Sequence, residues 1–185
     1  MKSSAGLNKF LYGVLTGQKN KIYNSPLTGS FMKINWKVLI VSLIITFLIG
    51  FVGSLFTSPN TGTDWYNSIK PDITPPNFVF PVVWNILFFL IALSLYFAWT
   101  SSKKKDKPEI ALVFGINFFL NILWSVLFFG LKLPLVSFFE IILLLGSILW
   151  MILITRKISK ISAWLLIPYL IWVAFAGVLN YLIAF

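Results

Sequence analysis

Five long apolar runs set the main constraint on how this 185-residue chain can fold. They occupy residues 38–56, 77–102, 110–131, 133–155 and 161–185, and they are nearly free of charged side chains. A helix of about 20 residues, rising about 1.5 Å per residue, crosses the ~30 Å hydrocarbon layer of a bilayer. Open sheet edges are not tolerated in lipid, and the runs lack the alternation of barrel strands. The sequence therefore predicts an all-α membrane protein, a bundle of five transmembrane helices.

The composition agrees with a membrane protein and excludes several kinds of chemistry. Hydrophobic residues make up 58% of the chain, charged residues 11%, and the mean hydropathy is +0.90, which is outside the range of soluble domains. The chain has no cysteine, so it has no disulfide and no thiolate nucleophile. It also has no histidine, the commonest general base and metal ligand. We therefore expect no metal site and no ordinary hydrolytic catalytic residue.

Basic residues are distributed unevenly between the two ends of the predicted bundle. One end, which includes the N-terminus, carries thirteen: Lys2, Lys9, Lys19, Lys21, Lys33, Lys37, Lys103, Lys104, Lys105, Lys107, Arg156, Lys157 and Lys160. The other end carries only Lys70 and Lys132. The positive-inside rule then predicts a cytoplasmic N-terminus and a C-terminus outside. Because the charges flank membrane spans and do not line a folded face, we predict no nucleic-acid binding.

Residues 1–35 are predicted to form a basic cytoplasmic N-terminal tail, and residues 36–185 the five-helix transmembrane domain. The tail has no acidic residue and no continuous apolar core, so it is not a secretory signal. Organellar targeting is the weaker alternative, because the tail is rich in lysine where such peptides favour arginine. A bacterial inner membrane is the simplest host for this chain, and an organelle membrane is the alternative.

A proline-rich connector, DWYNSIKPDITPPNFVFPVVW at 64–84, joins the first two apolar runs. Its prolines, of which Pro71 is the first, fix φ and disfavour helix in the residue before each of them. This pattern predicts a stiff, extended lid over the outer end of the bundle, with Asn77 as the cap of the second helix. The alternative is an interfacial anchor in which Trp65 and Tyr66 lie at the level of the lipid headgroups.

Amides and large rings recur at helical spacing near the outer ends of three predicted helices. They are Asn117, Asn121 and Trp124 on the third helix, Trp172, Ala176 and Asn180 on the fifth, and Trp84 and Phe88 on the second. An unpaired amide in hydrocarbon costs several kcal/mol, so the asparagines should face the bundle interior. There they either bond one another and join helices, or they line an apolar pocket in which the indoles stack on a planar ligand.

Glu140 is the only acidic residue within the apolar runs. A carboxylate within a membrane span is by default a candidate for function. Three interpretations stay open: the group is protonated, it pairs with Lys132, or it contacts a ligand.

Seven short motifs follow one another through the membrane portion and leave residues 1–35 outside. They are FVGS at 51–54, WY at 65–66, KP at 70–71, PP at 75–76, VW at 83–84, NFFLNILWSVLFFG at 117–130 and PYLIWVAFAGVLNY at 168–181. In this order they resemble the tryptophan-rich sensory protein family, also called the translocator protein or peripheral benzodiazepine receptor family.

The resemblance implies a five-helix bundle, often a homodimer, with a pocket beneath the connector that binds porphyrins such as protoporphyrin IX and haem, and other hydrophobic ligands in some members. No cofactor is required. The expected function is that of a receptor, sensor or carrier for these ligands. One alternative is degradation of protoporphyrin driven by light and oxygen, through Trp84 and Trp172. Another is a structural or regulatory role in the membrane.

The spacing and the resemblance together give twelve expected ligand-binding residues. They are Trp65, Tyr66, Pro71, Trp84, Phe88, Asn117, Asn121, Trp124, Glu140, Trp172, Ala176 and Asn180.

Overall fold

Seven α-helices make up most of residues 34–185, the part of the chain that the computed structural model describes. They are α1 (Trp36–Thr57), α2 (Asp64–Ile69), α3 (Val79–Ser101), α4 (Lys107–Ser125), α5 (Pro134–Ile158), α6 (Lys160–Leu165) and α7 (Ile167–Ala184). A 3₁₀ turn at Lys104–Asp106 precedes α4, and a π-helical turn at Val126–Gly130 prolongs it. The predicted tail at 1–35 lies outside the described residues except for its last two positions.

Five helical segments in this part of the chain are long and apolar enough to cross a membrane. They are α1, α3, α4 with its flanking turns, α5, and α6 together with α7. The prediction of five transmembrane helices is therefore confirmed. The fifth span differs from the single helix that its apolar run suggests, because it breaks at Leu166 and restarts with Pro168 in the first turn of α7. A proline in a first turn has no intrahelical hydrogen bond to lose, so the break costs little.

The core lies among α3, α4, α5 and α7, and α1 packs against α3 and α4. Large side chains that are fully buried fill the core, among them Ile91, Phe114, Ile148, Met151 and Tyr169. At the end of the bundle away from the α1–α3 connector, Ser94 Oγ and Ser162 Oγ lie 2.8 Å apart. Ser162 Oγ donates to Ser94 O at 2.8 Å, which joins α6 to α3.

The connector between α1 and α3 is not extended as predicted, because it contains the helix α2. Thr63 caps this helix, with its hydroxyl accepting from Tyr66 N at 3.4 Å, and Asp64 occupies the first turn, where a negative charge is favourable. The prolines act only from residue 70 onward, so they end α2 without preventing it. The predicted cap is also wrong: Asn77 Nδ2 donates to Thr61 O at 3.1 Å, and Phe78 precedes α3 without a side-chain bond.

Aromatic contacts hold α2, hereafter the lid, against the π turn that ends α4. The Tyr66 ring lies 5.5 Å from Phe129 and 6.5 Å from Phe128, measured between centroids. Lys132 has a positive φ of 54° just beyond this turn, and its Nζ lies 5.4 Å from the centre of the Trp65 ring. A cation over an indole is worth about 0.5–2 kcal/mol. The lid is therefore attached to α4, although it is connected in sequence to α1 and α3.

Gly50 of α1 lies directly against the Phe88 ring of α3. A Cβ atom at Gly50 would overlap the edge of this ring. Phe88 in turn stacks on Trp84, with centroids 5.3 Å apart and an angle of 28° between the planes. A glycine at residue 50 therefore lets the two helices approach and fixes where the Phe88 ring lies.

We predict that Gly50→Ala lowers the free energy of unfolding by about 1–3 kcal/mol, since the added methyl group must displace a packed ring. The measurement is unfolding by SDS titration in mixed micelles. Gly146→Ala is the matched control, because no atom lies within 4 Å of a Cβ placed there. Equal stability of the two variants would contradict the proposed contact.

Candidate functional site

A cavity of about 610 Å³ lies beneath the lid, enclosed by α1, α3, α4 with its π turn, and α7. Pockets for small ligands usually occupy ~300–1,000 Å³. Its lining is mostly apolar and aromatic, with a few hydroxyl and amide side chains among the rings. The site is therefore of a size and character suited to a hydrophobic small molecule.

Indole rings stand on three walls of the cavity, each fixed by another ring. Trp84 on α3 stacks on Phe88, and Trp124 on α4 stacks on Phe128 with centroids 5.0 Å apart and 17° between the planes. Trp172 on α7 meets the edge of Phe80 at 5.8 Å. Paired rings of this kind gain about 0.5–1.5 kcal/mol beyond their burial, so the walls are preorganised.

A chain of hydrogen bonds runs from the cavity floor into the core. Asn121 Nδ2 donates to Tyr169 OH at 3.1 Å, and this hydroxyl donates to Asn117 Oδ1 at 3.3 Å. Asn117 Nδ2 then donates to Ser147 Oγ at 2.8 Å, which donates to Leu144 O at 2.7 Å. One of the two Nδ2 hydrogens is engaged in this way, so Asn121 can offer the cavity its second N–H and its carbonyl oxygen.

Both the oxygen and the nitrogen of the Asn180 side-chain amide form hydrogen bonds. Its Oδ1 accepts from Trp124 Nε1 at 3.0 Å, and its Nδ2 donates to Pro134 O at 2.8 Å. The residue lines the cavity, but its hydrogen bonds fix the Trp124 indole and join α7 to the start of α5. Its main effect on a ligand would therefore pass through the position of Trp124.

Two buried polar atoms of cavity-lining residues have no hydrogen-bond partner among the described residues. They are Trp172 Nε1 and Thr74 Oγ1. A buried donor without a partner costs about 1–3 kcal/mol, and most buried polar groups in proteins are paired. A ligand with acceptor groups near Trp172 and Thr74 would remove this cost.

The Tyr66 phenol supplies a further polar group at the top of the cavity. The ring is 5% exposed, and burial raises the pKa of this phenol above its usual range. Tyr66 therefore stays protonated at neutral pH. Elsewhere in residues 34–185, no cluster of three or more histidine, cysteine or acidic side chains forms a metal site.

Eight of the twelve expected residues line the cavity and four do not. The eight are Tyr66, Trp84, Phe88, Asn121, Trp124, Trp172, Ala176 and Asn180. The others are Trp65, Pro71, Asn117 and Glu140. Trp65 belongs to the lid, but its ring packs 5.9 Å from Phe128 and does not line the cavity, and Asn117 lies one layer below Asn121.

Glu140 lies in the core, 5% exposed, and neither carboxyl oxygen has a hydrogen-bond partner within the described part of the chain. Its proposed partner Lys132 lies instead over Trp65. A role of Glu140 toward a ligand stays a prediction.

The sequence reasoning missed the wall that α1 contributes. Phe47, Gly50, Phe51 and Ser54 all line the cavity and stand at i, i+3, i+4 and i+7. This spacing puts them on one helix face, and the glycine and serine among bulky residues were a signal that could have identified it. Asn85 on α3, also missed, lines the cavity one residue after Trp84.

Comparison with known proteins confirms the resemblance seen in the motifs. Residues 28–185 match the TspO/MBR family. The tryptophan-rich protein TspO of Archaeoglobus fulgidus is 41% identical over 146 residues, which cover 78% of this chain and 94% of the relative. The protein of the same name from Chlorobaculum tepidum is 37% identical over 153 residues, covering 80% and 96%. The human translocator protein is 31% identical over 135 residues, covering 71% and 79%.

The family match and the five apolar spans together describe an integral, multi-pass membrane protein. The chain therefore belongs to the TspO/MBR family.

Proposed function

We propose that this protein is a membrane receptor or carrier that binds porphyrins such as protoporphyrin IX in the cavity beneath the lid. The observation that carries the proposal is a cavity of about 610 Å³ with indoles on three of its walls. Trp84, Trp124 and Trp172 present flat, polarisable faces, on which a planar macrocycle can stack. The name of one relative, translocator protein, is in keeping with a carrier.

The polar groups at the cavity suit the edges of such a ligand. Propionate and carbonyl oxygens are acceptors, and Trp172 Nε1 and Thr74 Oγ1 are groups without a partner among the described residues. A ligand acceptor that reaches the Trp172 N–H would recover the cost of leaving this donor unpaired.

Haem is expected to bind through its ring rather than through its iron. The chain has neither histidine nor cysteine, the commonest axial ligands. The Tyr66 phenol lines the cavity, and burial raises its pKa, which disfavours the phenolate form that binds iron. We therefore expect protoporphyrin IX to bind at least as tightly as haem.

The distribution of charge supports the predicted orientation in the membrane. In the described residues, the end of the bundle that carries the lid has the basic residues Lys70 and Lys132. The opposite end has Lys37, Lys103, Lys104, Lys105, Lys107, Arg156, Lys157 and Lys160. By the positive-inside rule, the lid and the mouth of the cavity then lie on the outer side.

Oxidisable rings at the cavity favour a second candidate function, the light- and oxygen-dependent breakdown of bound protoporphyrin. Trp84 and Trp172 both line the cavity, and the Tyr66 phenol lies above them. An excited porphyrin held against these rings is close enough to exchange electrons with them. In this case the protein would consume its ligand in light instead of only holding it.

We predict that replacing both Trp84 and Trp172 by alanine weakens protoporphyrin IX binding by roughly ten- to a hundredfold. Each lost stacking ring removes about 0.5–1.5 kcal/mol, and 1.4 kcal/mol is a factor of ten in Kd. Binding is measured by titrating the porphyrin against protein in nanodiscs and following the Soret band, which does not depend on the number of tryptophans left.

The matched control replaces Trp36 and Trp164, which are 62% and 73% exposed and outside the cavity wall. This variant should bind like the parent chain. An equal loss of protoporphyrin IX affinity in both double variants would argue against the cavity as the binding site. Absence of saturable binding in the parent chain would instead favour the structural or regulatory role.

Illumination separates the two candidate functions. If the protein degrades protoporphyrin, the Soret band of the bound porphyrin disappears in light faster than that of free porphyrin, and a distinct product forms. Trp84→Phe with Trp172→Phe should slow this loss at least about tenfold, because phenylalanine is much harder to oxidise but keeps the stacking surface. Bleaching at the rate of free porphyrin would leave binding as the only activity.

A further inference from the structure

The exposed residues of the cavity lining all lie on one side of the bundle. They are Phe47, Phe51, Ser58, Asn77, Pro81 and Asn85. Each belongs to α1, to α3 or to the connector between these helices. In contrast, every lining residue from α4, its π turn and α7 is buried or half-buried, as is Tyr66 of the lid. The cavity therefore opens between α1 and α3.

Contacts above and below limit this opening. Below it, α1 and α3 meet where the Phe88 ring covers Gly50 and lies 6.5 Å from the Phe47 ring. Above it, Asn77 Nδ2 donates to Thr61 O and joins the start of α3 to the connector. We call the opening between these two contacts the portal. Because α1 and α3 are both membrane-spanning, the portal faces lipid.

The two sides of the portal carry polar side chains at a depth where lipid-facing residues are normally apolar. Ser54 lies on the α1 side and Asn85 on the α3 side. Asn85 is six residues, or about 9 Å, from the start of α3. Its Nδ2 donates to Pro81 O at 2.7 Å, and Ser54 Oγ donates to Phe51 O at 2.7 Å. Each donor thus bonds a carbonyl oxygen of its own helix, which lowers the free-energy cost of placing it in lipid. The side-chain carbonyl oxygen of Asn85 stays available as an acceptor.

The lid is less suited than the portal to be the route of entry. Tyr66 is nearly fully buried against Phe128 and Phe129, and Lys132 lies over Trp65. Lifting the lid would break these contacts and expose the rings. At the portal, Phe51 is 61% exposed, so a change of its rotamer would break few contacts.

We propose that the portal between α1 and α3 is a lateral entrance through which an amphipathic, flat ligand passes from the lipid leaflet at the lid end into the cavity, with Asn85 contacting its polar edge. The inference rests on the proposed function, because it assumes that the cavity holds such a ligand. It adds the source of the ligand, which is the bilayer and not the aqueous phase, and it assigns a role to Asn85.

The test uses the absence of cysteine from the chain. A Ser54→Cys, Asn85→Cys variant in nanodiscs is bridged by a reducible bis-methanethiosulfonate reagent. Protoporphyrin IX is delivered from donor vesicles, and stopped-flow quenching of tryptophan gives the rate of entry. We expect the bridge to slow entry at least about tenfold relative to the same variant before bridging, and reduction to restore that unbridged rate. Porphyrin loaded before bridging should be retained and should leave equally slowly.

Two further pairs serve as controls. Asn35→Cys with Tyr96→Cys joins the same two helices at the opposite end, where Asn35 N donates to Tyr96 OH at 3.2 Å, and its bridge should leave the rate unchanged. Trp65→Cys with Lys132→Cys fixes the lid at residues that do not line the cavity, and its bridge should also leave the rate unchanged.

The outcomes separate the portal from the proposed function. A normal rate with the portal bridged, or a slow rate only with the lid fixed, overturns the portal while saturable binding persists. Absence of saturable binding in the parent chain and in the reduced variants overturns the proposed function, and the portal with it. As a second variant, Asn85→Leu should slow entry several-fold and Asn85→Gln should not, because only the latter keeps the amide.

Discussion

The hydrogen-bonded chain from Asn121 through Tyr169 and Asn117 to Ser147 determines how the rest of the bundle is arranged. In hydrocarbon, each of these groups would cost several kcal/mol if unpaired, so α4, α5 and α7 are held in the one arrangement that pairs them. Asn180 adds a second connection by joining Trp124 to the start of α5. Of these helices, α4 and α7 form a fixed half of the cavity and α5 packs against both, and α1 and α3 complete the cavity through apolar contacts.

This division explains why the cavity is closed on one side and open on the other. On the fixed half, amide and hydroxyl groups are satisfied internally, and the lining residues are buried. On the other half, the contact between α1 and α3 depends on Gly50 and Phe88, with no side-chain hydrogen bond between the two helices at the level of the cavity. Dispersion contacts of this kind can rearrange without leaving a polar group unpaired. Movement near the ligand should therefore concentrate in α1 and α3.

The sequence predicts the spans because run length is a property of the chain alone. Helical spacing places seven of the eight expected residues that line the cavity on shared faces, and the eighth, Tyr66, comes from the connector and the family resemblance. The sequence does not predict α2, since the propensity that forms this helix comes from Thr63 and Asp64 and competes with the prolines that follow. Nor does it predict that Asn180 is engaged at both ends while Asn121 offers an acceptor. The direction of a hydrogen bond depends on which partner tertiary packing brings close, and no spacing rule encodes that.

The π turn at Val126–Gly130 shows how a local irregularity links the lid to the site. An extra residue in a helical turn rotates the side chains that follow, and here Phe128 and Phe129 line the cavity while also packing against Tyr66. The same rings thus form a cavity wall and the surface on which the lid rests. A ligand that contacts Phe128 or Phe129 would support the rings on which the lid rests, so occupancy of the cavity and closure of the lid should stabilise each other. An entrance between α1 and α3 is compatible with this coupling, because a ligand that enters there leaves the contacts of Tyr66 with Phe128 and Phe129 unbroken.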